Sequence, residues 1–371
     1  LPSRFINISL LNNSMTKTVL TPVDVHYVLW RFRAGGAELS VRHYGDRLPP
    51  RHRLHAYSLR GGTNEIYDDS KIRLQLGSPG TWKCYQQYFH YCRKHKQHIF
   101  HLLNVGPIVL LLTLLAGVKN PVYHIHGTIY WNNRREQFFL KKVWQLSNFF
   151  NVKWVANSAY SADIFNRQVL PVRPQVIYNG FEIQKFLEKR SLRSALRKIG
   201  YAGRFHTGKN VELVIRLFGE IAADYPEVEL HLAGDGPLRP LLENLIQKSP
   251  YQERIHLLGF VQDIAAFYQS IDLFVFLSAY ESFGNVLAEA LLTGLPVLTS
   301  DVPVFAEITE GEPMFLLGNP SEEEHIRRNF RAAIAHYPLL AEKALALSNR
   351  LEQKFSLDQH IIQIERVYET P

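Results

Sequence analysis

The stretch Ala279-Tyr-Glu-Ser-Phe-Gly-Asn-Val-Leu-Ala-Glu-Ala-Leu-Leu-Thr-Gly-Leu-Pro-Val-Leu-Thr299 reads as loop, helix, stop and strand. Gly284 lets the backbone turn tightly and come close to a ligand. Ser282 or Asn285 is expected to cap the helix, and Gly294 to end it. Val286, Leu287, Ala290 and Leu291 form an apolar stripe at helical spacing. Glu289 lies beside that stripe, which predicts a partly buried carboxylate in need of a partner. The first amides, from Gly284 to Val286, offer unpaired N–H groups and a positive dipole end to an anion. Leu295 to Thr299 then reads as a short buried strand.

Working outward, the same strand–helix alternation fills the chain. Residues 23–30, 55–59, 99–103, 121–126, 153–157 and 175–180 read as strands of a first series. Residues 199–203, 229–233, 254–261 and 273–277 read as strands of a second, with Met314 to Leu317 as a final one. Such alternation predicts an α/β chain with parallel sheets covered by helices. Between Phe181 and Lys198 the composition turns charged and helical, marking a junction. The expected division is 1–185, 186–354 and a terminal segment 355–371, amphipathic through Ile361, Ile362, Ile364 and Val367. Residues 1–22 carry no periodic pattern and read as a leader or extra edge strand.

A length of 371 residues suggests two domains, and 46% hydrophobic with 20% charged residues argues against disorder. Cys84 and Cys92 are too few for a disulfide framework or a cysteine zinc site, which fits a reducing cytoplasm. No cleavable signal peptide is legible in residues 1–20. The most apolar stretch, Leu102 to Val118, is interrupted by Asn104, Gly106 and Pro107. It reads as strand, turn and buried helix rather than a membrane span. Residues 1–180 carry 23 Lys+Arg against 8 Asp+Glu, a net +15, and residues 181–371 carry 19 against 26, a net −7. That segregation suggests an acidic partner for the first half, with anionic lipid or a phosphate-linked acceptor favoured. The basic clusters include Arg93-Lys-His-Lys96 and Arg134-Arg135 with Lys141-Lys142. No helix-turn-helix, zinc finger or aromatic RNA-binding motif is present, so nucleic acid is not expected as a partner.

Three further places carry chemistry. Arg204 and Lys209 flank a turn with Gly208, so both cations can converge on one phosphate beside a helix start. His126, followed by Gly127, sits at the carboxyl edge of a strand, where a histidine can contact a reacting group. His124 faces the same side, and either could serve. Gly35-Gly36 follows the first strand but lacks the full dinucleotide spacing, which argues against a nicotinamide or flavin.

Taken in order, Gly35-Gly36-Ala-Glu38, His126-Gly127, Val176-Ile-Tyr-Asn-Gly180, Gly203-Arg204 with Lys209-Asn210, Ala233-Gly-Asp-Gly236, Leu258-Gly-Phe-Val261 and the Glu281/Glu289 pair resemble the family 4 retaining glycosyltransferases. The likeness covers about residues 23–368. It implies a GT-B fold: two Rossmann-like domains facing across a cleft, with the C-terminal helix crossing back to the first. It implies a UDP- or GDP-sugar donor as substrate, no obligatory cofactor or metal, and a hexosyl transfer that retains configuration. The acceptor would be a glycan or a lipid-linked glycan of surface polysaccharide synthesis, handled by a cytoplasmic protein peripheral to an anionic membrane face.

Carried over position by position, Arg204 and Lys209 would neutralise the donor diphosphate, helped by the amides around Ser282, Phe283, Gly284, Asn285 and Val286. Glu289 would hold the ribose, and Glu281 and His126 would address the transferred sugar. Phe260 and Val261 would lie along the base, while Gly35 and Gly36 would border the phosphates. A relative that epimerises or hydrolyses a nucleotide-sugar is the rival expectation.

Overall fold

Apolar runs bounded by glycine, proline and asparagine make strands that are buried on both faces, the pattern of parallel sheets. The computed structural model describes residues 22–31, 36–61, 72–78, 80–131, 133–187, 192 and 195–370. Gly35 and the expected leader up to residue 21 lie outside them.

The first half contains β1 (Val23–Leu29), α1 (Gly36–Arg47), β2 (His52–Ser58), β3 (Ile72–Leu76), α2 (Thr81–Lys94), β4 (Ile99–Leu103) and α3 (Pro107–Leu115). It continues with β5 (Val122–Ile125), α4 (Arg134–Leu146), β6 (Lys153–Ala156), α5 (Ala159–Gln168) and β7 (Gln175–Val176). The short α6 (Gln184–Leu187) leads into β8 (Lys198–Ala202), α7 (Val211–Ile221), β9 (Glu229–Ala233), α8 (Arg239–Gln247) and β10 (Ile255–Gly259). Next come α9 (Ile264–Ser270), β11 (Leu273–Phe276), α10 (Asn285–Leu292), β12 (Val297–Thr299) and α11 (Pro303–Ile308). The chain ends in α12 (Glu323–Ala335), α13 (Tyr337–Lys354) and α14 (Leu357–Glu369).

The strands form two sheets, ordered β3-β2-β1-β4-β5-β6-β7 and β10-β9-β8-β11-β12. All pairings are parallel, with Tyr27 beside both Ala56 and His101, and Leu103 beside His124. Both orders reverse at the first strand of the set, so each sheet opens a crevice at its carboxyl edge. On one face of the first sheet, Val28, Phe100 and Leu102 pack with Tyr88 of α2, Val109 of α3, Trp144 of α4 and Phe165 of α5. On the other, Val25, Tyr27 and Leu29 pack with Tyr44 of α1 and with Ile361, Ile364 and Tyr368 of α14. The second sheet has its own core, running in sequence from Phe181 to Phe355.

The terminal helix therefore returns to the first sheet, as the family resemblance implies, and polar contacts fix its register. The Tyr368 hydroxyl lies 2.7 Å from the Tyr27 hydroxyl and 2.7 Å from His101 Nδ1. His360 reaches the Tyr178 carbonyl at 2.6 Å and the Tyr44 hydroxyl at 2.9 Å. The crossing itself is pinned by Phe181 N–H to the Phe355 carbonyl at 2.8 Å and Leu357 N–H to the Phe181 carbonyl at 2.9 Å.

Several elements differ from expectation. β3 was not expected: Ile72-Arg-Leu-Gln-Leu76 alternates as an edge strand does, rather than forming a continuous apolar run. Met314 to Leu317 is not a strand. Pro313 opens a 3-10 turn there, and one bridge joins Leu316 to Thr299. The strand expected to run to Gly180 keeps only Gln175–Val176.

Gly234, after β9, has φ +142°, and a Cβ built on it would lie 1.9 Å from the Gly203 carbonyl oxygen. Both backbone strain and collision with a rigid neighbour follow, so Gly234→Ala is expected to lower unfolding free energy by at least about 1–3 kcal/mol. A urea unfolding midpoint unchanged from the parent would contradict that.

Candidate active site

The carboxyl ends of the two sheets face each other across a cleft of about 490 Å³. Asn104, His126, Asn157 and Asn179 line it from the first half. Gly203, Arg204, Lys209, Phe276 and the segment from Glu281 to Val286 line it from the second.

Arg204 follows β8 and is exposed, and its guanidinium makes no ion pair among the described residues. Lys209 ends a 3-10 turn, Thr207–Lys209, whose geometry is set by Asn210 in the left-handed region at φ +51°. The Asn210 side chain donates to the Leu277 carbonyl at 2.7 Å, anchoring the turn to the end of β11. Lys209 Nζ is paired with the Glu281 carboxylate and sits 5.6 Å from the Phe276 ring centre. The two residues assigned separate duties from the sequence are thus joined as a half-buried ion pair.

Gly284, at φ +98°, is the N-cap of α10 and provides no side chain to bond the helix start. A Cβ there would come within 2.9 Å of the Phe305 ring. The first helical bonds to the Gly284 carbonyl come from Leu287 at 3.0 Å and Ala288 at 3.2 Å, leaving earlier amides without a helical acceptor. Neither residue expected as a cap performs that role. Asn285 accepts from the Asn179 side chain at 2.7 Å, and Ser282 accepts from Asn157 at 3.3 Å. The Ser158 hydroxyl donates to the Ser282 carbonyl at 2.6 Å. Polar side chains on this loop thus tie the two halves together and leave the helix start open to a ligand.

Of the two histidines on β5 and its end, His126 reaches the cleft. His124 is fully buried, with Nδ1 3.2 Å from His101 Nε2. His126 Nδ1 stands 3.5 Å from the Asn157 amide, and its buried Nε2 has no hydrogen-bond partner among the described residues. Desolvation, assisted by the nearby His360, holds the His126 imidazole down to about 3, so it is neutral near pH 7.

Glu289 lies one turn inside α10 and accepts from the Tyr268 hydroxyl at 3.1 Å. Desolvation pushes its carboxyl up to about 7, although the Tyr268 bond acts in the opposite direction. The partly buried carboxylate expected from the sequence is therefore present, with Tyr268 as its partner. Glu289, Phe260 and Val261 are not on the wall of the cleft, and Phe260 is 80% exposed beyond β10. Gly36 is the first residue of α1, at the carboxyl end of β1.

Asn104, Asn157 and Asn179 were given no site role from the sequence, although Asn179 falls in the motif Val176-Ile-Tyr-Asn-Gly180. Each follows the carboxyl end of a strand, where α/β sheets gather ligand-binding groups, and that position could have nominated them. As a whole, the site offers two cations and free helix amides to an anion, facing a neutral imidazole across the cleft.

Residues 196–335 match the family described as glycosyl transferases group 1. This stretch is a group 1 glycosyl transferase domain. The alpha-monoglucosyldiacylglycerol synthase of Acholeplasma laidlawii is 28% identical over 159 residues, 41% of this chain and 40% of that protein. The GDP-mannose:cellobiosyl-diphosphopolyprenol alpha-mannosyltransferase of Xanthomonas campestris is 27% identical over 206 residues, 54% of each. The chain spans about half the length of these curated relatives, or less. Among solved structures, Anabaena HepE in complex with UDP-glucose superposes with a TM-score of 0.78 at 20% identity, covering 93% of this chain and 99% of that one. WaaG, a glycosyltransferase involved in lipopolysaccharide biosynthesis, gives 0.73 at 15% identity, covering 94% and 100%. The fold around the group 1 domain is GT-B, with two parallel-sheet units and the terminal helix crossing back.

Proposed function

We propose that the chain is a retaining glycosyltransferase that moves a hexosyl group from a UDP- or GDP-sugar to a glycan or lipid-linked acceptor, with no obligatory metal. One observation carries this reading: Arg204, Lys209 and the open start of α10 converge on a single cleft opposite the neutral His126. In glycosyl transfer the bond from the acceptor oxygen to the sugar C1 forms as the bond from C1 to the phosphate oxygen breaks. The electron pair leaves with the diphosphate, and the acceptor proton follows to a phosphate oxygen. Positive charge grows on the ring and negative charge on the leaving group, where fixed cations and amide dipoles lower the barrier most.

Within this reading Lys209 exchanges Glu281 for the diphosphate, which frees Glu281 to orient the sugar. His126, neutral and with Nε2 unpartnered among the described residues, is suited to a hydroxyl of the transferred sugar. Glu289 holds the ribose, Phe260 and Val261 flank the base, and Gly35 and Gly36 border the phosphates. Among the described residues that line the cleft Glu281 is the one carboxylate, so the facing pair that a glycosidase needs is not there. This favours front-face attack with retained configuration over the two-carboxylate glycosidase route. The UDP and glucose bound by HepE, and the diphosphopolyprenol named for the Xanthomonas relative, support the donor and acceptor classes.

Screening nucleotide-sugars by thermal shift should find the donor, because a ligand of the native state stabilises by mass action. Labelled donor is then incubated with and without a lipid-linked acceptor, and the anomeric configuration of the product is read by NMR. Complete turnover without any acceptor would overturn the transferase assignment in favour of an epimerase or hydrolase.

A membrane face fits the same reading. No described helix is long and apolar enough to cross a bilayer. α4, however, exposes Phe138 and Phe139 by 71% and 62%, and Phe149 just beyond it by 84%. Arg134, Arg135 and Lys142 are exposed beside them, an arrangement that seats aromatic rings at a headgroup boundary and attracts anionic lipid. Phe138→Ser/Phe139→Ser is expected to weaken co-sedimentation with phosphatidylglycerol vesicles at least about tenfold, while the donor thermal shift is unchanged. Equal sedimentation of parent and variant would remove this face from the proposal.

A further inference from the structure

The basic run Arg93-Lys-His-Lys96 is unused by the cleft, and its histidine belongs to a cluster elsewhere in the first domain. His26 on β1, His95 at the C-cap of α2 and His98 just before β4 each bring a ring nitrogen to within 4.8 Å of the others. His26 Nε2 and His98 Nδ1 stand 2.8 Å apart. The far nitrogens of these two rings also have partners. His26 Nδ1 meets the Tyr91 hydroxyl, and His98 Nε2 faces the Asp24 carboxylate at 3.9 Å. Asp24 is held in turn by His55 Nε2 at 2.8 Å.

We propose that His26, His95 and His98 form a binding site for one divalent transition ion of the imidazole-preferring class, Zn²⁺ foremost, that fastens β1 to the turn between α2 and β4. Three features distinguish this cluster from histidines that merely stack. The ligand type is uniform and suited to zinc. The rings come from β1 itself, the C-cap of α2 and the residue before β4, so one ion would join three segments. His26 also has the Tyr91 hydroxyl at its second nitrogen, the kind of outer contact that orients an imidazole at a metal centre. The Asp24 carboxylate stands 3.9 Å from the second nitrogen of His98, close enough to engage it once the ring turns toward an ion.

At zinc–nitrogen distances of about 2.0–2.1 Å, tetrahedral ligands stand roughly 3.3 Å apart. The His26–His98 contact would need to widen by only about half an ångström, which the half-exposed His98 can supply by rotation. His26 is fully buried, while His95 and His98 are half-buried, so the fourth position opens toward solvent. Asp24 and His98 lie at the amino-terminal side of the first sheet, whereas the cleft collects residues from the carboxyl ends. The ion is accordingly assigned to stability and not to transfer.

The test uses the full chain without a polyhistidine tag, freed of metal by a chelator and titrated with ZnCl₂ in a calorimeter. Binding of one ion per chain and a Zn²⁺-dependent rise in melting temperature are expected. His95→Gln/His98→Gln alters half-exposed positions, and its fold is checked by circular dichroism. It should weaken binding more than about 100-fold and abolish the melting shift. Asp24→Asn should weaken binding about 10–100-fold, the effect of losing an outer partner. His231→Gln/His256→Gln is the control, since Glu229, His231 and His256 form a second compact group; it should leave binding intact. Absence of saturable binding, binding retained in His95→Gln/His98→Gln, or binding lost in the control would each overturn the proposal.

Discussion

Arg204→Ala/Lys209→Ala is expected to lose at least about 10³-fold in kcat while keeping the parent's circular dichroism spectrum. Removal of one fixed donor to a developing anion commonly costs about 10²–10³-fold, and this variant removes both cations. Neither side chain is part of the second core, so folding should survive. The two single variants should differ. Arg204 has no ion pair to lose among the described residues, so Arg204→Ala deletes only its attraction for the diphosphate. Lys209→Ala also leaves the half-buried Glu281 carboxylate unpaired beside the leaving group, adding repulsion and an uncompensated charge. Lys209→Ala should therefore be the more damaging, and adding Glu281→Gln should restore part of the lost donor affinity. Near-normal turnover in the double variant would refute the phosphate role.

Glu289→Gln is expected to raise the donor Kd by about 10–100-fold, because a hydrogen bond to a charged group contributes about 1.5–3 kcal/mol. The raised carboxyl gives this effect a pH signature. Burial holds the folded-state value at about 7 against an ordinary 4.5. The folded protein therefore binds this proton more tightly than the unfolded chain. That contribution to stability is fully present below about 4.5 and is lost as pH rises through 7. Donor affinity should move in the opposite direction, strengthening through pH 7 as the carboxylate forms and can accept from two ribose hydroxyls. In Glu289→Gln both trends should flatten. Calorimetric donor titrations at several pH values check the first trend, and melting curves of the ligand-free protein check the second. An unchanged donor Kd in Glu289→Ala would remove Glu289 from the ribose role.

Much of the architecture was legible because parallel strands buried on both faces are written as local apolar runs. β4, β5, β8 and β11 follow that rule, with every residue beyond the first buried. β3 escaped because an edge strand alternates. The stretch from Met314 to Leu317 misled because an apolar run held by a single lateral bridge looks the same in sequence as a fully paired strand. The cap of α10 was misread for a related reason. Ser282 and Asn285 favour local capping, but Asn157 and Asn179 from the other domain engage them instead.

The sequence alone determined the two α/β series, the helical tail with one apolar face, and the set of glycines, cations and carboxylates at strand ends. Those features depend on local periodicity and residue chemistry, which neighbours along the chain suffice to express. Only the tertiary structure decided that His126 and not His124 reaches the cleft, that Lys209 is paired with Glu281, and that Glu289 is held by Tyr268. It also brought His26, separated by about seventy residues from His95 and His98, into one cluster with them. These outcomes depend on which side chains meet across sheets and domains. Burial and charge act through space, and their effect on a histidine or a carboxylate is set by neighbours that the order of the chain does not name.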